Sequence, residues 1–76
     1  MKLSKLKRGQ SGIIKGIDEK CKIRERLWDM GLVGGTKVTM LHCAPFHGPL
    51  EITLRGYRLV LRRDDADCIE IKTGIV

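Results

Sequence analysis

Positions 42 to 47 read His42-Cys43-Ala44-Pro45-Phe46-His47, which sets two imidazoles and a thiol within six residues, and the carboxylate of Glu51 follows four positions later. Those donor types suit zinc or ferrous iron. Neighbouring residues on a strand face opposite sides of a sheet, so His42 and Cys43 can share one ion only where the strand bulges. His42, Cys43 and His47 are the candidate metal ligands. Fe(II) or Zn(II) is the candidate ion, and no cofactor is required.

A second set is cationic: Arg24 and Arg26, then Arg55, Arg58, Arg62 and Arg63. An arginine supplied in trans can stabilise the charge of a GTPase transition state, and a group of them can steer docking to an acidic patch. The plainer alternative is a solvated face that keeps a small domain soluble. Trp28 lies among these cations with Leu27 and Leu32 close in sequence, a mixture typical of interface hot spots. Arg24, Leu27, Trp28, Leu32 and Arg58 are therefore the candidate partner-binding residues, against the alternative that Leu27 and Leu32 simply cap the core.

Catalysis finds no support. The only serines, Ser4 and Ser11, have no base beside them in a recognisable pattern, and Gly34-Gly35-Thr36-Lys37 lacks the spacing of a phosphate-binding loop. A 76-residue chain buries only roughly 60–65% of its unfolded surface, leaving little depth for a catalytic cleft. No enzyme is expected.

With 42% apolar residues the chain should fold rather than stay disordered. Its formal charge is +6, but Lys2, Lys5, Lys7 and Arg8 supply four of the cations, leaving eleven Lys and Arg against nine Asp and Glu from residue 9 onward. Residues 1–8 read as a basic flexible arm, and 9–76 as a single domain. A nucleic-acid-binding barrel is the competing reading of the basic charge. The three aromatics, Trp28, Phe46 and Tyr57, are not interleaved with basic strand residues as a stacking platform requires, so no nucleic acid is expected. Cys21, Cys43 and Cys68 form no CxxC pair and suggest free thiols in a reducing compartment. No apolar run approaches the ~20 residues of a membrane span, and no signal-peptide core follows Met1, so a cytoplasmic protein is expected.

The elements that must position these residues follow from periodicity and punctuation. Ile13–Ile17 predicts a strand, and Asp18 an N-cap for a helix over about Glu19 to Met30, ended by Gly31 at the left-handed position past its C-terminus. Within that helix Ile23, Leu27 and Met30 form the core stripe, with Trp28 and Cys21 on the other side. Lys37–Cys43 is the next strand, and Pro45 and Pro49 bracket a loop. Leu50, Ile52 and Leu54 alternate with Glu51, Thr53 and Arg55, and Tyr57, Leu59 and Leu61 alternate with Arg58, Val60 and Arg62, giving a hairpin turned near Gly56. A short helical turn over 63–67 precedes a last strand at 68–72. These elements predict an all-β fold, a small SH3-like barrel of about five strands closing on themselves, with one inserted α-helix.

Leu27, Gly31-Leu32-Val33, Gly35-Thr36 and Val38, followed by Ala44-Pro45, Pro49-Leu50-Glu51-Ile52, Arg55-Gly56-Tyr57-Arg58-Leu59 and Leu61-Arg62, resemble the ferrous iron transport protein A family, FeoA, over roughly residues 9 to 72. The resemblance implies a cytoplasmic SH3-like accessory domain of ferrous iron uptake. Its implied partner is the FeoB-type ferrous iron permease, a membrane protein with its own GTPase domain, so that contact with the membrane would come only through that partner. The same fold ends iron-dependent repressors, but no winged-helix segment precedes it here, and repression is not expected. The family pattern places no His or Cys at 42, 43 or 47, so the metal reading, a Fe(II) or Zn(II) sensor or carrier, rests on the residues alone.

Overall fold

The computed structural model describes residues 1–73; the last three positions of the expected domain, 74–76, lie outside the described residues. Five strands, β1 (Ser11–Ile17), β2 (Lys37–Cys43), β3 (Leu50–Leu54), β4 (Tyr57–Leu61) and β5 (Ile69–Lys72), form one antiparallel sheet in the order β4-β3-β2-β1-β5. Helix α1 (Arg24–Asp29) lies between β1 and β2, and α2 (Arg63–Ala66) between β4 and β5. The expected elements are present in the expected order. Closure differs: among the described residues β4 and β5 do not pair and stand at the two edges of the sheet.

The edge at β5 is covered by residues expected to form a free arm. The Met1 carbonyl accepts from the Ile71 amide at 2.7 Å, the Met1 ammonium donates to the Ile71 carbonyl at 3.1 Å, and Lys2 bridges Glu70. A 3-10 turn over Leu3–Lys5 follows. Such a turn eclipses positions i and i+3, which puts Leu3 and Leu6 on one face, and both are buried in the core. Residues 1–6 are thus part of the packed structure, while the side chains of Met1, Lys2, Lys5, Lys7 and Arg8 stay at the surface.

Helix α1 is shorter than its periodicity suggests. The Asp18 carboxylate accepts the Lys20 amide at 2.8 Å, and the Cys21 and Arg24 amides bond to carbonyls three residues back, so 18–23 runs as tight turns instead of an α-helix. Ile23 stands at the N-cap, with no side-chain oxygen to offer. Cys21, outside the helix, packs against the core rather than beside Trp28.

The C-terminus of α1 obeys its glycine. Gly31 has φ +95°, the Leu32 amide bonds to the Leu27 carbonyl at 3.0 Å, and the Gly31 amide bonds to the Trp28 carbonyl at 2.9 Å. This is the Schellman arrangement, which brings the side chains at Leu27 and Leu32 inward together. Both are 0% exposed. The β3–β4 turn is equally local in origin: Arg55 and Gly56, at φ +49° and +85°, close a two-residue hairpin of the kind whose twist matches its strands.

Candidate interaction surface

The metal candidates separate. A register slip between Met40 and His42 does bulge β2, as sharing an ion would require, but His42 remains exposed opposite Glu51, while Cys43 turns inward to pair with Leu50 and meets the Arg63 guanidinium at 4.0 Å. His47 sits in the following loop at φ +58°, beside Arg62, Arg63 and Asp64. The strand alternation therefore wins over the bulge. Among the described residues no three His, Cys, Asp or Glu side chains come together to hold an ion, so His42, Cys43 and His47 do not form the expected set.

Two of the five partner-binding candidates are also corrected. Leu27 and Leu32 belong to the core, because the Schellman turn that ends α1 folds them under it. The structure leaves Arg24, Trp28 and Arg58 available. Trp28 is 42% exposed, with the Arg24 guanidinium 4.8 Å above its ring centroid. Such stacking holds a flat aromatic surface and a cation in one orientation without burying either.

This helix end is tied to the hairpin. The Tyr57 hydroxyl donates to the Met30 carbonyl, and the same hydroxyl lies 2.8 Å from where a Cβ on Gly31 would stand. Tyr57, expected on the core face of β4, is instead 42% exposed, since it spends its polar tip on an orphan helix carbonyl. Along β4 burial then deepens from exposed Tyr57 through half-buried Leu59 to buried Leu61. Arg58 faces outward, pairing with Glu51 at 3.4 Å while its side chain stays 74% exposed.

Two exposed apolar residues escaped the sequence reading as contact candidates. Phe46 is 97% exposed at the tip of the proline-bracketed loop, and Val60 is 63% exposed on β4. The signal for Val60 was present in its alternation with Leu59 and Leu61. No local pattern marked Phe46 beyond its place between two prolines.

One titratable group is strongly perturbed. Burial, then a hydrogen bond that the Cys68 thiol donates to Cys21 and the electrostatic influence of Cys21, Asp18 and Asp65, push the Cys68 thiol from 9.0 up to about 12. It stays protonated at neutral pH, which makes it a poor nucleophile and a poor ligand.

A family model described as the FeoA domain matches residues 1–73. The Fe(2+) transport protein A/Fe(2+) transporter FeoB fusion protein of Porphyromonas gingivalis is 35% identical over 72 residues, covering 95% of this chain. The chain spans only 8% of that relative's length. Among solved structures, the FeoA protein of Chlorobium tepidum is 36% identical with a TM-score of 0.87, covering 99% of this chain and 71% of that one. FeoA of Stenotrophomonas maltophilia, described as an SH3 domain protein and solved with zinc, is 26% identical with a TM-score of 0.83, covering 95% of this chain and 89% of that one. The all-β SH3-like fold and the link to ferrous iron transport accordingly stand, and the chain belongs to the FeoA domain family.

Proposed function

We propose that this chain is a non-enzymatic accessory of ferrous iron uptake that docks on the cytoplasmic part of a FeoB-type permease and modulates its nucleotide cycle or assembly. The observation that carries the reading is the Porphyromonas gingivalis relative, whose description joins a Fe(2+) transport protein A and a FeoB transporter in one protein. Domains fused in one chain are held at high effective concentration, which favours association between their surfaces. The contact surface is the stacked Arg24–Trp28 pair, with Arg58 on the neighbouring hairpin. No helix among the described residues is long and apolar enough to cross a membrane, so on this reading the chain reaches the inner face of the membrane through its partner.

The test is co-purification with full-length permease in its nucleotide-free, GDP-bound and GTP-bound states, followed by GTP hydrolysis with and without this chain. Saturable binding is expected, weakened about tenfold by Trp28→Ala, on the order of 1.4 kcal/mol, with the fold intact. Absence of association in every nucleotide state would sink the reading.

A further inference from the structure

The two edges of the sheet are treated differently. Residues 1–2 cover the outer side of β5, whereas among the described residues β4 pairs only with β3. In a two-residue hairpin the closing pair, here Leu54 and Tyr57, exchanges its ladder bonds, so the alternation leaves the backbone N–H and C=O groups of Arg58 and Val60 directed away from the sheet. The side chains at positions 58, 60 and 62 stand on one face at every second residue, as cation, apolar group and cation, and Arg62 keeps extended backbone at φ −67°, ψ 147°. All three are exposed.

Charge favours one kind of occupant. At the hairpin end, a cleft of about 450 Å³ is lined by Lys37, Thr39, Thr53, Arg55 and Arg58 and by no acidic side chain; Glu51, opposite Val60, pairs with Arg58 at 3.4 Å but leaves that arginine 74% exposed to a second carboxylate. At the far end, a cleft of about 370 Å³ carries Arg62, Arg63 and His47 with a single acid, Asp64. We infer that β4 is an edge for strand addition that accepts an extended segment of a partner protein in which acidic, apolar and acidic residues alternate, so that carboxylates meet Arg58 and Arg62 on either side of an apolar residue seated at Val60. Main-chain bonds to the edge supply affinity and the alternate side chains supply selectivity. A second copy of this chain is the wrong occupant, because two-fold pairing centred on Val60 sets arginine against arginine. The inference concerns the chemistry of the segment and does not depend on which protein supplies it.

The probe is the peptide acetyl-Ser-Glu-Thr-Val-Thr-Glu-Ser-amide titrated into isotopically labelled chain, with backbone amide shifts as the readout. Saturable shifts centred on Arg58, Val60 and Arg62 are expected, weakening with salt. Val60→Pro removes the outward amide without touching the β3 ladder and should abolish binding; its own amide spectrum reports whether it folds. Arg58→Glu, at an exposed position, should weaken binding by about tenfold even if Val60→Pro does not fold. The inference is overturned by no saturable shift at millimolar peptide, by equal binding of the peptide with lysine in place of both glutamates, or by shifts centred on Trp28. Displacement of the peptide by its own dimerising protein, or binding of a single-stranded oligonucleotide instead of the peptide, would overturn it too. Arg58 belongs to both surfaces, so the Val60→Pro and peptide outcomes decide this inference, while association with the permease is read separately through Trp28→Ala.

Discussion

Leu27 and Trp28 are adjacent in the chain and opposite in consequence. Leu27 is fully enclosed, so Leu27→Ala leaves a cavity and should cost about 2–5 kcal/mol, a large share of the stability of so small a domain. Trp28→Ala removes a half-exposed ring and its stacking with Arg24, and should shift stability by only about 0.5–1 kcal/mol while weakening partner association. Urea midpoints of the two variants check the contrast. Cys68 supplies a pH signature. Because its folded-state value lies above the ordinary 9.0, its contribution to stability is fully present below pH 9 and is withdrawn as pH rises toward about 12. Denaturant midpoints measured from pH 8 to 12 should therefore decline, and the decline should be shallower in Cys68→Ala. Equal slopes for the two proteins would refute this role.

At the scale of elements, the punctuation of α1 and of the β3–β4 hairpin rests on backbone conformation. Gly31→Ala places a Cβ at positive φ and within 2.8 Å of the Tyr57 hydroxyl, so it should cost more than Gly56→Ala, where φ is also positive but no atom stands within 4 Å. About 1 kcal/mol is expected for Gly56→Ala and at least twice that for Gly31→Ala, read as a difference in thermal midpoint. These two turns were legible because a glycine at the end of a periodic apolar stripe, or between two alternating segments, is a local signal. The start of α1 was not legible in the same way. Asp18 looks like an N-cap for a helix from Glu19, but its carboxylate serves a turn, and the competing tight hydrogen bonds over 18–23 delay the helix until Arg24.

For the whole molecule, the N-terminal segment is the largest revision. Four cations in eight residues suggest a solvated arm, yet Leu3 and Leu6 enter the core and Met1 and Lys2 sheathe β5. Removing residues 1–6 should consequently destabilise the domain by several kcal/mol, at roughly 1.5–3 kcal/mol per buried leucine, and should expose a second sheet edge. Thermal denaturation and light scattering of the truncated chain are the measurements. An unchanged midpoint would restore the arm.

Sequence alone determined the order and type of the main strands and helices, the glycine stop at Gly31, the turn near Gly56 and the family, since each depends on short-range periodicity, dihedral preference or a linear pattern of residues. Only the tertiary structure decided that His42 and Cys43 face apart with His47 on a separate loop, that Leu32 lies inside, and that one sheet edge is covered while among the described residues the other is unpaired. Those outcomes turn on which surfaces meet across the fold, where strand alternation and burial of apolar area outweigh nearness along the chain.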